Sequence, residues 1–324
     1  MLDNDTNPDP SATRTTDAPA RAFVSGAAMA LGRTRRPADS LSGLAAFFER
    51  EGLPALPDLF GMGWFHEARP NDTSWSLAAE SAAQTLSQSG IAPENIDALI
   101  VCSAHFTGSL DSAASGVQQL MQDIGITPAF VTGVTLGRCT SFLAGLKLAT
   151  DLVTGCQYRQ VLVVCADRYH DDIARLQSFA LFSDGAASCL VSDTAGQGCR
   201  FAIRGTSSGT DPGSFDPMGR ICPVMVTRVN KEIIRKTGVT FDQMTAFLPI
   251  NIFRPVVYAT ETQGGVPAKR LFLDNIPDRG HCFGADPLIN LMDLSARNPL
   301  PENAYALLSA SVPGFRVALL LQAL

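Results

Sequence analysis

The chain has 324 residues, 46% of them hydrophobic and 17% charged, enough for one large or two fused domains around a substantial core. A formal net charge of -6, with no basic run interleaved with aromatics, speaks against a nucleic-acid partner. No apolar run reaches the roughly 18 residues of a membrane span, and the polar N-terminus carries no apolar signal core, so the expectation is a cytoplasmic protein with no membrane partner.

In chain order, residues 1–20 are rich in Asp, Asn, Thr, Pro and Ala and predict a disordered tail. From Ala22 onward, strand-like runs alternate with helical ones. Ser74 to Ser89 has helical periodicity, and Asp97-Ala-Leu-Ile-Val-Cys-Ser103 follows as a buried strand. In Val134-Thr-Leu-Gly-Arg-Cys-Thr-Ser-Phe-Leu-Ala-Gly-Leu, small residues and a short apolar stretch lead into Cys139, and helical periodicity follows it. The continuous apolar run Arg159-Gln-Val-Leu-Val-Val-Cys-Ala166 fits a strand covered on both faces. Ser183-Asp-Gly-Ala-Ala187 sits between two apolar runs, where Asp184 reads either as a catalytic acid or, more commonly, as an Asp-Gly hairpin turn.

An internal repeat organises this alternation. Gly90-Ile-Ala-Pro-Glu-Asn-Ile-Asp-Ala-Leu-Ile-Val101 aligns without gaps on Gly238-Val-Thr-Phe-Asp-Gln-Met-Thr-Ala-Phe-Leu-Pro249, 148 residues further on. Each copy reads as a helix end, a turn and a buried strand, which predicts a duplicated α/β module with helices packed on a sheet. The second strand is expected to run on through Pro249-Ile-Asn-Ile-Phe-Arg254. The chain closes with Tyr305 to Ser311, a Val-Pro-Gly turn, and Phe315 to Leu321, read as a β-hairpin.

Cys139 is the leading candidate for chemistry, because the first turn of a helix carries unpaired N–H groups and a partial positive charge that favour an anion such as a thiolate. The other seven cysteines (Cys102, Cys156, Cys165, Cys189, Cys199, Cys222 and Cys282) mostly stand in apolar or small-residue contexts and read as reduced core thiols. No C-x-x-C pair or H-E-x-x-H motif is present, so no metal site is expected, and no phosphate-loop glycine pattern supports a nucleotide cofactor. A thiolate nucleophile needs a proton shuttle, and four histidines are available. His66, His105 and His170 lie in contexts that favour a structural role. His281, in the glycine-bracketed Asp278-Arg-Gly-His-Cys-Phe-Gly-Ala285, reads equally as a base or as a loop histidine. Asn251 reads most commonly as a turn residue, and otherwise as a group that orients a histidine or a water.

These residues give the chain a family resemblance. Leu136-Gly-Arg-Cys-Thr-Ser-Phe142 is similar to the Ala-Ala-Cys-Ala-Gly-Phe nucleophile run of the thiolase-like condensing enzymes, and Leu181-Phe-Ser-Asp-Gly-Ala-Ala187 to their Phe-Gly-Asp-Gly-Ala-Gly run. Ile91 to Val101 and Arg159 to Val164 add to the likeness, which resembles most closely the β-ketoacyl carrier-protein synthase III branch. The resemblance implies a thiolase-like αβαβα five-layered fold of two related halves, 21–198 bearing the nucleophile and 199–324 bearing Asn251 and His281. It also implies an acyl-coenzyme A or acyl carrier protein substrate, no cofactor, and a homodimer or a heterodimer with a homologue.

The motifs depart from the synthases at informative places. Their Ile-Pro-His-Gln-Ala-Asn run is replaced by Leu248-Pro-Ile-Asn-Ile-Phe-Arg254, without a histidine, and their Gly-Asn-Thr-Ser by Gly280-His-Cys-Phe. Asn and His are thus exchanged in the manner of thiolases, although the second catalytic cysteine of thiolases has no counterpart near Ser309 to Phe315, and the chain is too short for their inserted loop. The resemblance carries over a Cys139, Asn251, His281 constellation, with an oxyanion hole from the N–H groups of Cys139 and Gly314. Pro313 stands in the turn where the family has glycines, and a proline there removes a donor. Arg254, with Lys269 and Arg270 nearby, can meet an acidic carrier protein or form a solvated basic surface. The reading is an acyl-thioester transferase or condensing enzyme of specialised metabolism, polyketide or fatty-acid-like, working through an acyl-Cys139 intermediate. The alternative is a non-catalytic subunit that pairs with an active homologue.

Overall fold

The computed structural model describes residues 22–52, 61–104, 109–215 and 219–324. The disordered tail predicted over residues 1–20, and His105, lie outside these segments. The first half places β1 (Phe23–Leu31), β2 (Thr34–Pro37), α1 (Leu44–Glu51) and β3 (Trp64–Glu67) ahead of α2 (Ser74–Ser89). Thr73 and Ser76 close a reciprocal capping box at the start of α2, and the helix ends at Gly90 in the left-handed region, φ 66°. Then come β4 (Ala98–Cys102), α3 (Leu110–Ile124), β5 (Phe130–Val134), α4 (Ser141–Thr154) and β6 (Gln160–Asp167). A short turn of helix, α5 (Asp172–Arg175), and the two-residue strands β7 (Leu176–Gln177) and β8 (Ala180–Leu181) lead to β9 (Gly185–Ser192).

The second half begins with β10 (Cys199–Thr210) and α6 (Pro223–Thr237), which ends at Gly238, again left-handed with φ 71°. After it come β11 (Met244–Leu248), α7 (Arg254–Gln263), α8 (Ile276–Arg279), α9 (Asp286–Arg297), β12 (Tyr305–Val312) and β13 (Phe315–Ala323). The repeat is visible in three dimensions: a helix stopped by a glycine, one 3-10 turn (Pro93–Asn95 or Phe241–Gln243), then a buried strand.

A continuous ladder joins nine strands in the order β11-β12-β13-β10-β1-β9-β6-β4-β5. Each half supplies a parallel pair, β4 with β6 and β11 with β12, and the halves meet where β1 runs antiparallel to β10. Helix α4 touches β4, β6 and β9 on one side and β10, β12 and β13 on the other, and α9 likewise reaches β1 and β9 as well as β11 and β12. These two helices form a central layer between two sheet layers, with α2 and α3 outside one and α6 and α7 outside the other. The sequence of α4 suits that place, since residues from Ser141 through Val153 are buried around much of its circumference.

Two sequence expectations are corrected. The second-repeat strand stops at Leu248 instead of continuing to Arg254, because Pro249 has no N–H for a ladder and the Asn251 N–H is spent on Asp286. The Asp184-Gly185 pair is no hairpin turn, for β8 pairs with β7 and Gly185 opens a strand lying between β1 and β6. The closing hairpin forms as expected, with a two-residue loop, Pro313-Gly314, between paired Val312 and Phe315. Gly314 has φ 86°, the value that the second central residue of a type II turn requires. Just past this turn, buried Arg316 binds both Glu261 oxygens at 2.9 Å, Asn230 Oδ1 at 2.8 Å and Ser311 Oγ at 2.5 Å, tying the hairpin to α6 and α7. Among the described residues, no helix is long and apolar enough to cross a membrane.

Candidate active site

Cys139 stands in a 3-10 turn (Arg138–Thr140) that runs directly into α4, at the N-terminal end of the central layer. Arg138 ahead of it has φ 51°, a left-handed conformation costly for a residue with a Cβ, and its guanidinium is held by the Pro313 carbonyl of the closing hairpin. The N–H groups of Arg138, Thr140 and Ser141 close local turns on the carbonyls of Thr135, Gly137 and Arg138, whereas the Cys139 N–H takes no part in them. The sulfur is nearly buried, with the residue 8% exposed.

His281 reaches Cys139 from the other half of the chain, with Nε2 at 3.3 Å from Sγ. Its backbone is pinned between two bonds, His281 N to the Leu181 carbonyl at 2.8 Å and Ser183 N to the His281 carbonyl at 2.9 Å. The Phe182 ring packs on the imidazole at 4.7 Å, with Phe283 and Tyr169 around it. The Leu181 to Ala187 motif therefore seats the histidine. Asp184 is wholly buried and structural: it holds Arg175 through both oxygens, at 2.7 and 2.8 Å, and accepts from Ala68 N and Tyr169 N.

The group behind His281 is Asp286, a residue that lay one position beyond the segment singled out in the sequence. Its Oδ2 is 2.5 Å from His281 Nδ1 and accepts from Asn251 N at 2.6 Å, while Oδ1 accepts from Cys282 N at 2.7 Å and Asn251 Nδ2 at 3.3 Å. As the first residue of α9, its charge also meets the positive end of that helix. The Ala-Asp-Pro start of a helix five residues after His281 was the available signal. Burial pushes the His281 pKa down, but the Asp286 carboxylate and the Cys139 sulfur, by charge and hydrogen bond, override it and raise the value to about 10.

Asn251 is brought into the site but not to the sulfur. Its Nδ2 turns to Asp286, and its Oδ1 accepts from Asn290 Nδ2 at 2.9 Å, which also donates to the Pro249 carbonyl at 2.8 Å. Asn290 continues through Asn275 to Asp293 and Arg279, a polar chain running from the candidate site toward the surface. Ile250, at the place of the synthases' histidine, is buried in the apolar cluster that contains Cys139. Gly284 packs its turn against the nucleophile turn, for a Cβ there would stand 3.3 Å from the Cys139 carbonyl oxygen and the Phe142 nitrogen.

The remaining sequence candidates fall elsewhere. Gly314 lies buried under the Phe215 ring, its carbonyl accepting from Asp211 N at 2.9 Å. His66 bonds the Gly32 carbonyl at 3.0 Å with its pKa lowered by burial, and His170 is exposed. Cys102, Cys165, Cys189 and Cys282 are buried, with thiols pushed up by burial, as core cysteines are. Arg254 is exposed at the start of α7. Arg270 is spent on the Phe241 and Met244 carbonyls at 2.6 and 2.8 Å, which removes it from a carrier-docking surface.

A thiol, an imidazole and a carboxylate in series can generate a thiolate, hold the shuttled proton and return it, the arrangement of nucleophilic acyl transfer. Residues 135–212 match the family model for 3-oxoacyl-[acyl-carrier-protein (ACP)] synthase III. The chain is 33% identical over 120 residues to β-ketoacyl-[acyl-carrier-protein] synthase III 2 of Vibrio cholerae, covering 36% of this chain and 32% of that protein. It is 25% identical over 199 residues to the synthase III of Staphylococcus aureus, covering 57% and 62%. The matched region thus spans about a third to under two thirds of the length of these relatives.

Solved structures match the whole fold. An acyltransferase named ChlB3 superposes with a TM-score of 0.79 at 16% identity, covering 94% of this chain and 98% of that one. The 3-oxoacyl-(acyl carrier protein) synthase III, FabH, of Xanthomonas oryzae gives 0.75 at 14%, covering 94% and 99%. A cysteine-to-serine variant of Xanthomonas campestris OleA, solved with lauric acid and lauroyl-CoA, gives 0.77 at 13%, covering 94% and 99%. Residues 135–212 thus resemble the synthase III family, and the chain as a whole shares the thiolase-like fold of these structures.

Proposed function

We propose that the protein is an acyl-thioester transferase in which Cys139 takes an acyl group from coenzyme A or a carrier protein and passes it to a second substrate. The observation that carries this reading is the buried series Cys139 Sγ, His281, Asp286, with 3.3 Å from sulfur to Nε2 and 2.5 Å from Nδ1 to the carboxylate. His281 takes the thiol proton, the thiolate attacks the thioester carbonyl, and His281 returns the proton to the departing thiol. The Cys139 N–H, free of local turns, is the place from which an oxyanion is stabilised.

Asn251 acts in this reading as a positioning residue, fixing Asp286 with its backbone and side chain. The replaced synthase motifs at Ile250 and His281 support a role in specialised metabolism over housekeeping fatty-acid initiation. Exposed Arg254 and Lys269 are the proposed contacts for an acidic carrier. The edge strand β5, with Phe130, Val131 and the following Leu136 exposed, supports pairing with a second copy or a homologue. The assembled Cys139–His281–Asp286 series favours catalysis over a non-catalytic partner subunit.

The test is intact-protein mass after incubation with acyl-coenzyme A and acyl-carrier-protein donors of graded chain length. An adduct of acyl mass is expected in the wild type and absent in Cys139→Ala. No Cys139-dependent adduct across the panel, alone or with a co-expressed homologue, would refute the proposal.

A further inference from the structure

The groups facing the sulfur also bear on which acceptor takes the acyl group. A carbon acceptor made from a malonyl thioester must lose carbon dioxide, which leaves an electron pair delocalised onto the thioester oxygen as an enolate. That oxygen needs N–H or O–H donors fixed upon it. An alcohol or amine acceptor needs a base for its own proton instead.

Near Cys139, the side chains supply a base. Asp286 can only accept when ionised, so the short contact at Nδ1 places the ring proton there and leaves the Nε2 lone pair of the neutral imidazole directed at Sγ. In the neutral form, a histidine so held accepts a proton at Nε2 and donates none there. Asn251, the other polar side chain carried over from the resemblance, has its amide engaged with Asp286 through Nδ2 and with Asn290 through Oδ1. Its neighbour Ile250 adds hydrocarbon to the cluster around Cys139. Beside the free sulfur the ring holds its proton, with a pKa of about 10, and acylation favours the neutral form, because a thioester sulfur is uncharged and no longer supports the protonated ring.

We propose that acyl-Cys139 is discharged by an oxygen or nitrogen nucleophile, an alcohol or amine, and not by the carbon of a malonyl thioester. His281 Nε2 removes the O–H or N–H proton as the heteroatom's electron pair forms the bond to the acyl carbon. The tetrahedral intermediate collapses with cleavage of the C–S bond, whose electron pair leaves on Cys139. The imidazolium then gives its proton back to that sulfur. The products are an ester or amide and the starting enzyme, with nothing oxidised or reduced.

This inference rests on the acyl-Cys139 reading, and one experiment separates the two. The wild-type enzyme is acylated with an acyl-coenzyme A that labels Cys139, freed of excess donor, and divided among malonyl-CoA carrying a labelled carboxyl group, malonyl-carrier protein labelled likewise, a panel of primary alcohols, a panel of primary amines, and buffer alone. The expected result is discharge by members of the alcohol or amine panels at least about tenfold faster than by water, with ester or amide found by mass and no labelled carbon dioxide above the non-acylated control. Labelled carbon dioxide released with a β-ketoacyl product would overturn the inference while leaving the acyl-enzyme intact. So would an acyl-enzyme that no alcohol or amine discharges faster than buffer. Failure to label Cys139 with any donor would overturn both readings together.

Discussion

Replacing Asp286 by asparagine tests the site at its most connected atom pair. The side chain keeps its shape, but the amide has one acceptor oxygen and one NH2 where the carboxylate offers two acceptors to four donors. If the NH2 takes the Oδ2 place, it faces His281 Nδ1, so the imidazole must move its proton to Nε2 and loses its basic lone pair toward the sulfur. If it takes the Oδ1 place, it meets the Cys282 N–H, and a buried donor is left without its acceptor. Either way the negative charge that raises the His281 pKa is gone. Loss of the orienting carboxylate in a serine-histidine-aspartate triad costs about 10⁴ in kcat, and general-base catalysis as a whole contributes about 10² to 10⁴. Acylation of Cys139 in Asp286→Asn is therefore expected to slow by about 10² to 10⁴, equal to about 2.7 to 5.4 kcal/mol of barrier. Single-turnover release of coenzyme A, with intact mass to confirm the adduct, measures it. A thermal unfolding scan separates the catalytic loss from the roughly 1 to 3 kcal/mol expected for an unsatisfied buried group. A variant that is folded and acylates within about threefold of the wild type would refute the role of the carboxylate in tautomer control.

The raised His281 pKa links stability to pH. Its folded value of about 10 exceeds the ordinary value of about 6.5, so this contribution is complete below about pH 6.5 and is lost as pH rises toward 10. The unfolding midpoint should fall across that window, and Cys139→Ala, which lacks one of the two partners that raise the value, should lose the contribution at lower pH; matching profiles would deny the coupling. Gly284→Ala places a methyl group 3.3 Å from the backbone of the nucleophile turn, and is expected to cost about 1 to 3 kcal/mol in chemical denaturation together with a larger fractional loss of acylation; unchanged acylation would show that the two turns need not stay in register. Leu136 is 87% exposed next to the edge strand, and if the chain pairs there as proposed, Leu136→Glu should shift the wild-type association toward monomer in sedimentation equilibrium without lowering the unfolding midpoint of the isolated chain; association unaltered by the variant would refute pairing at this edge.

Much of this protein is determined locally and can be read from its sequence. A glycine that stops a helix acts through its own backbone freedom, so Gly90 and Gly238 mark the two repeats, and the apolar continuity from Val161 to Cys165 marks a strand covered on both sides. Cys139 at the head of α4 was legible for the same reason, since small residues, a turn and a helical run are consecutive in the chain. What the sequence alone left open was decided by contacts between distant segments. The even choice between base and loop histidine at His281 depends on the 3.3 Å approach to a sulfur 142 residues away. The role of Asp286 depends on α9 docking its first turn against both Asn251 and His281. The same docking takes the Asn251 N–H out of any ladder, which is why the strand predicted through Arg254 ends at Leu248, and it turns the Asn251 amide away from the sulfur. Propensity and periodicity describe a residue among its neighbours in the chain, whereas the direction in which a buried polar group points is fixed by whichever partner completes its hydrogen bonds.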